Sequence, residues 1–107
     1  MVRRKSCIFI SGSGTNLKEL IKSSKSYNFP IKINLVISNN KNAKGLRFAK
    51  LFKIPFKTFD INNFLEKERV LNILKEKKIE LICLAGFMKI LPKDFIKKFN
   101  GKIINIH

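Results

Sequence analysis

Two polar side chains, Asn105 and His107, close the sequence in the run Lys102-Ile103-Ile104-Asn105-Ile106-His107. His107 is the only histidine of the chain, and histidine has the unperturbed pKa that best suits acid-base chemistry near neutral pH. Residues two apart on a strand share a face, so Asn105 and His107 are expected on one side. An amide beside an imidazole can hold and protonate the oxyanion of an acyl transfer. A frayed polar terminus is the alternative interpretation.

A glycine-rich segment, Ser11-Gly12-Ser13-Gly14-Thr15-Asn16, follows the first apolar run. Glycines let the backbone turn tightly and approach an anion, and free N–H groups at a helix start attract a phosphate. The segment is not a dinucleotide fingerprint, because Leu17 occupies the third glycine position, and it lacks the Gly-Lys-Ser/Thr ending of a Walker A loop. The pattern favours one phosphate monoester. The alternative is a plain strand-to-helix turn with Thr15 or Asn16 as the cap.

A third segment, Leu84-Ala85-Gly86-Phe87-Met88-Lys89-Ile90-Leu91-Pro92, follows another apolar run. Gly86 would let the backbone leave the sheet and expose N–H and C=O groups between apolar side chains, which suits a flat heterocycle. Taken alone, such a segment is more often a hydrophobic loop that packs on its own core.

The strands and helices that would position these residues can be predicted from the sequence. Apolar runs alternate with Lys-rich amphipathic segments, a pattern typical of βαβ units. We predict one domain over residues 1–107, an α/β fold with a doubly wound, open, mostly parallel sheet of about five strands. Ligands of such sheets bind at the carboxyl ends of the strands. The predicted strands are 7–10, 31–37, 55–59, 81–85 and 103–106, and the predicted helices are 16–25, 43–52, 62–77 and 92–99.

Three details of these elements are also predicted. Pro55 places the third strand at an edge of the sheet, because proline donates no ladder hydrogen bond. The helical pattern places Leu51 on the apolar face of the second helix and Leu65 on that of the third. Cys7 and Cys83 lie in separate apolar runs without C-x-x-C spacing, which predicts buried free thiols.

The formal net charge of +16 would usually suggest a polyanionic partner. Nearly all of it is Lys, spread over every predicted helix, with Arg only at positions 3, 4, 47 and 69. Arg is the usual base-reading residue, and abundant Lys, Ile and Asn are typical of an AT-rich genome. We therefore expect a solvated basic surface that steers small anions, and no nucleic-acid site.

No apolar run approaches the roughly 18 residues of a membrane span. The Ser-Gly segment interrupts the first apolar run too early for a signal peptide. We expect a soluble, cytoplasmic domain without a membrane partner and without a metal.

Together the three segments resemble phosphoribosylglycinamide formyltransferase, the folate-dependent family of purine (IMP) biosynthesis. Residues 10–17, 84–91 and 104–107 are similar to its motifs in order and spacing, and so is the turn Val36-Ile37-Ser38-Asn39. The resemblance implies transfer of a formyl group from 10-formyltetrahydrofolate to the amine of glycinamide ribonucleotide. It implies a formyltransferase-like, Rossmann-type fold, with His107 as proton donor and Asn105 as its catalytic partner.

The resemblance also implies binding residues for the two substrates. No residue matches the family's folate-contacting arginine near the start of the third long helix, and Lys89 stands where an arginine is common. The implied phosphate-binding residues are Gly14, Thr15 and Asn16, and the implied folate contacts are Met88, Lys89, Ile90, Leu91 and Asn105.

Two alternatives stay open. Another folate-linked relative, methionyl-tRNA formyltransferase or formyltetrahydrofolate deformylase, shares the chemistry, and a tRNA partner would suit the charge. The segments 11–16 and 86–91 resemble the ribonucleotide enzyme more closely. A non-catalytic polyanion-binding module is the alternative from another class, and its nucleic-acid affinity would fall steeply with salt.

The family continues from its histidine into a Pro-Ser-Leu-Leu-Pro segment and later supplies a catalytic aspartate, neither of which these residues contain. We therefore expect residues 1–107 to be the N-terminal portion of the formyltransferase domain, without its C-terminal remainder. Loss of an acidic partner costs triad-type systems on the order of 10⁴-fold in rate.

These 107 residues alone are predicted to show little or no formyl transfer, and to aggregate through an exposed apolar fifth strand. A formyl-transfer assay on this chain tests the first expectation, and turnover near that of a full-length family member would contradict it.

Overall fold

Strands and helices alternate without exception along residues 3–106, the part of the chain that the computed structural model describes. Each predicted strand and helix is present, with bounds shifted by a few residues. The elements are β1 Arg4–Ile10, α1 Thr15–Ser24, β2 Ile31–Ser38, α2 Leu46–Leu51, β3 Phe56–Thr58, α3 Phe64–Glu76, β4 Leu81–Ala85, α4 Lys93–Lys98 and β5 Lys102–Ile106.

The sheet has the strand order β3-β2-β1-β4-β5, and every neighbouring pair is parallel. β1 occupies the centre, with residues 7–10 fully buried. The strand order reverses between β1 and β4, and open parallel sheets bind ligands in the crevice beyond the carboxyl ends at such a point. β3 is an edge strand as predicted from Pro55.

Helices cover both faces of the sheet, which confirms the doubly wound prediction. Cys7 and Phe9 point towards α3 and α4, whereas Ile8 and Ile10 point towards α1 and α2. The helical residues buried on the first face are Val70, Leu74 and Phe95, and those on the second are Leu17, Ile21, Leu46 and Ala49.

The predicted placement of two leucines on the buried faces of their helices is wrong. Leu51 is 69% exposed and Leu65 is 66% exposed. Each lies five residues from a buried position of its own helix, Leu46 and Val70 respectively, and five residues turn an α-helix by about 140° from the buried side. The second helix is also shorter than predicted, because the backbone before it is taken up by tight turns in which Ala43 N–H donates to Asn40 and Leu46 N–H donates to Ala43.

The cysteines are buried free thiols, as predicted. Burial raises the pKa of Cys83 to about 11, and burial with the nearby Cys83 raises the pKa of Cys7. Both thiols are therefore protonated near neutral pH and poor nucleophiles. Within residues 3–106 no helix is long and apolar enough to cross a membrane, and no cluster of three or more metal-ligating side chains occurs.

The start of α3 carries a side-chain cap that can be tested directly. Asn63 Oδ1 accepts a hydrogen bond from Glu66 N–H at 3.0 Å. We expect Asn63→Ala to lower the free energy of unfolding by about 1 kcal/mol, because one N–H of the first turn loses its partner. Urea unfolding measures the change. Asn62→Ala is the matched control, since Asn62 bonds to Asp60 only through its backbone N–H, and an equal loss in both variants would contradict the assignment.

Candidate active site

The loop after β1 leaves the start of α1 without a side-chain cap. Gly14 is the N-cap residue with φ 78°, no side chain accepts a bond there, and the first turn contains no acidic residue. The predicted cap of the alternative interpretation is wrong, because the helix already includes Thr15 and Asn16, but a plain strand-to-helix turn stays open as that alternative. A helix start whose N–H groups lack a side-chain acceptor, behind a glycine turn, is suited to an anion.

The same loop packs against the start of α2 through two glycines. A Cβ on Gly14 would lie 2.5 Å from the Gly45 Cα, and a Cβ on Gly45 would lie 2.7 Å from the Gly14 Cα. Gly45 N–H also donates to the Gly12 carbonyl at 2.9 Å. Sequence reasoning missed Gly45; the available signal was a glycine before a helix where Ser, Thr, Asp or Asn is the usual cap.

The loop after β4 is held by its backbone and exposes apolar side chains. Gly86 turns the chain at φ 71°, and the Phe87 ring meets Phe9 edge-on with centroids 5.4 Å apart. Met88 is 79% exposed and Ile90 is 92% exposed. A slot for a flat heterocycle between these side chains stays a prediction. Lys89 is also exposed, whereas the Leu91 side chain is buried in the core beneath α3 and α4, so any contact from Leu91 would come from its backbone.

A serine hydroxyl joins these two loops. Ser11 Oγ accepts a hydrogen bond from Met88 N–H at 2.8 Å and donates to Asn39 Oδ1 at 2.5 Å. The loops that follow β1, β2 and β4 therefore meet at one buried side chain. Sequence reasoning assigned no role to the Ser11 side chain or to Asn39, although a serine directly after a buried strand is a signal that its hydroxyl needs a partner.

Asn105 lies near the end of β5, where it pairs with Leu84 of β4, and Leu84 pairs with Phe9 of β1. Cross-strand partners share a face, so Asn105 is on the α3 and α4 side of the sheet, opposite Ile106. Asn105 is exposed. His107 lies outside the described residues, and its place beside Asn105 stays a prediction.

The three segments thus converge on the carboxyl edge of β1, β4 and β5. They form an open surface, and shallow surface pockets of about 490, 540 and 690 Å³ are lined by other residues. The last of these is bordered by Asn39, the partner of Ser11, and lies at the ends of β2 and β3.

Fold and site together define an open parallel α/β protein with a glycine-rich loop at the point where the strand order reverses. A family model for formyl transferase matches residues 4–107, and the chain belongs to this family.

Named relatives agree with this family. The chain is 44% identical to phosphoribosylglycinamide formyltransferase of Haemophilus influenzae, over 97% of this chain and 51% of the relative. It is 44% identical to the trifunctional purine biosynthetic protein adenosine-3 of Gallus gallus, over 96% of this chain and 11% of the relative. The chain therefore spans about half of the bacterial enzyme and about a tenth of the trifunctional protein.

Solved structures show the same fold. The phosphoribosylglycinamide formyltransferase of Brucella melitensis superposes with a TM-score of 0.89 at 35% identity, covering 99% of this chain and 57% of that one. The enzyme from Anaplasma phagocytophilum gives a TM-score of 0.86 at 39% identity, covering 96% of this chain and 49% of that one. The predicted formyltransferase-like fold is confirmed.

The close contact between Gly14 and Gly45 predicts that the stability of the fold depends strongly on Gly45. We expect Gly45→Ala to lower the free energy of unfolding by about 1–3 kcal/mol, because the methyl group would force the loop after β1 away from α2. Urea unfolding is the measurement. Gly12→Ala is the control, since a Cβ there meets nothing within 4 Å. Equal stability of the two variants would show that the close approach is not a constraint.

Proposed function

We propose that this chain carries the substrate-binding and catalytic strands of a phosphoribosylglycinamide formyltransferase. The reaction transfers a formyl group from 10-formyltetrahydrofolate to the amine of glycinamide ribonucleotide in IMP biosynthesis. The observation that carries the proposal is the convergence of the start of α1, which has no side-chain cap, and the anchored loop 86–91 on the carboxyl ends of β1 and β4. The names of the relatives support formyl transfer to the ribonucleotide, and the folate donor is what the resemblance of the sequence motifs implies.

In this proposal Gly14, Thr15 and Asn16 bind the phosphate of the ribonucleotide. The glycine at the cap position lets the anion approach the backbone, and the N–H groups of the first turn of α1 donate to it. The absence of acidic residues from that turn removes a competing negative charge. The basic surface would raise the local concentration of the anionic substrate.

The loop from Met88 to Leu91 binds the folate in this proposal. Its backbone groups would hydrogen-bond the heterocycle, while the exposed Met88 and Ile90 side chains cover its faces. Lys89 projects into solvent, where its charge would favour an anionic tail of the ligand. Asn105 is close enough along β5 to face the same crevice, since its strand pairs with β4.

Catalysis in this proposal belongs to Asn105 and His107. As the ribonucleotide amine attacks the formyl carbon, negative charge develops on the formyl oxygen, and two positioned donors stabilise it more than they stabilise the ground state. His107 donates the proton that the leaving nitrogen of the folate requires. No metal takes part in this scheme.

Residues 1–107 would then be the N-terminal portion of the formyltransferase domain, with phosphate loop, folate loop and catalytic strand in one unit. The cytoplasm is the compartment that we propose for it.

Binding of glycinamide ribonucleotide to this chain tests the proposal. We expect saturable binding by calorimetry, with competition from inorganic phosphate. Thr15→Asp should weaken it at least about tenfold, because a carboxylate in the first turn repels the phosphate while it favours the helix dipole. Thr15→Asn is the uncharged control and should change affinity much less.

Two results would contradict the proposal. One is ribonucleotide binding that phosphate does not compete with and that Thr15→Asp leaves intact. The other is a lack of ribonucleotide binding together with nucleic-acid binding that weakens steeply with salt, which would favour a polyanion-binding module.

A further inference from the structure

We infer that Ser11 is a positioning residue that couples the phosphate loop to the folate loop, so that an anion bound at one loop orders the other. This inference rests on the proposed function for the identity of the two ligands. Its physical basis is the Ser11 hydroxyl, which is the meeting point of the two loops.

The direction of both hydrogen bonds at this hydroxyl is fixed. A serine hydroxyl has one hydrogen, which Ser11 donates to Asn39 Oδ1 at 2.5 Å, and the backbone N–H of Met88 can only donate, which it does at 2.8 Å. Ser11 is 7% exposed. Because water has little access, a displaced hydroxyl would leave the Met88 N–H without a ready replacement.

The Ser11 backbone belongs to the phosphate loop. Its carbonyl accepts a bond from Asn40 Nδ2 at 3.4 Å, and the carbonyl of the next residue, Gly12, accepts from Gly45 N–H at 2.9 Å. These contacts hold the loop from the side of β2 and α2. A shift of the loop towards a bound anion would therefore move the Ser11 hydroxyl and with it the Met88 amide.

The folate loop depends on this bond for its position. Within residues 3–106, the bond from Met88 to Ser11 is the hydrogen bond that ties the N–H groups of residues 87–90 to another segment. Phe87 and Leu91 pack on the core at either end, whereas Met88 and Ile90 are exposed. The centre of the loop thus follows Ser11.

The position of this hydrogen bond in the sheet topology also suits a coupling role. It joins residues 77 positions apart at the carboxyl ends of β1 and β4, where both ligands of the proposed reaction would meet. Coupling between two binding sites is reciprocal, so folate binding would strengthen phosphate binding by the same factor. Typical couplings change affinity by about 5- to 150-fold.

Hydrogen exchange on this chain, followed by mass spectrometry at micromolar concentration, tests the inference with inorganic phosphate as the probe. Phosphate should slow exchange in peptides that cover residues 86–91. Ser11→Ala should speed exchange there about fivefold or more without ligand, the loss expected for one hydrogen bond of about 1 kcal/mol, and should abolish the response to phosphate.

Ser6→Ala is the matched control. Ser6 is also a buried serine of β1, but it lies at the other end of the strand, where its hydroxyl donates to the Lys32 carbonyl at 2.8 Å. A merely structural role of Ser11 predicts that both variants lose stability and that both keep the phosphate response at residues 86–91. That result would overturn the inference.

Ser11→Thr retains a hydroxyl and should restore the response. If Ser11→Ala does not fold, the wild-type chain still decides the matter: saturating phosphate that leaves exchange at residues 86–91 unchanged overturns the inference.

A second measurement separates this inference from the proposed function. The affinity for 10-formyltetrahydrofolate should rise at least about fivefold when glycinamide ribonucleotide is present, and Ser11→Ala should remove this increase. If phosphate alters residues 86–91 but the ribonucleotide does not bind, the coupling stands and the proposed function fails. If the ribonucleotide binds without altering residues 86–91, the function stands and the coupling fails.

Discussion

Parallel pairing of β1 on both of its edges is the constraint on which the rest of this structure depends. Because β2 and β4 both pair with β1, residues 7–10 are buried on both faces and at both edges. The chain that leaves β1 must therefore emerge at the carboxyl end of the sheet, between two neighbouring loops. That position brings Ser11 within hydrogen-bond distance of both Asn39 and Met88, and it places the start of α1 at the point where the strand order reverses.

Local structure at this point departs from what a helix start usually has. Gly14 takes the cap position without offering a side-chain acceptor, and its contact with Gly45 excludes any larger residue at either position. By contrast, α3 starts with an ordinary Asn63 cap. Departures from local rules concentrate at functional sites.

Much of the fold could be predicted from the sequence, because periodicity and composition report burial directly. The bounds of β4 were predicted to the residue, since an apolar run between polar residues leaves little choice. The predicted placement of Leu51 and Leu65 was wrong, because each apolar side chain was assigned to the buried face without regard to its angle around the helix axis. The loops of the candidate site were predicted from glycine spacing. The contacts of Gly45 and of Ser11 were not predicted, because they join segments that are distant in sequence and that only the strand order brings together. The roles of the site residues stay predictions.

One consequence of the structure of loop 86–91 concerns how its sequence can change over generations. The loop is fixed by a backbone N–H and by two buried side chains at its ends, while Met88 and Ile90 extend into solvent with Lys89 between them. Mutation at those three codons therefore removes no buried side chain and no hydrogen bond of the loop. A genome that drifts towards AT-rich codons, and so towards lysine, can change these positions while the main chain keeps its place.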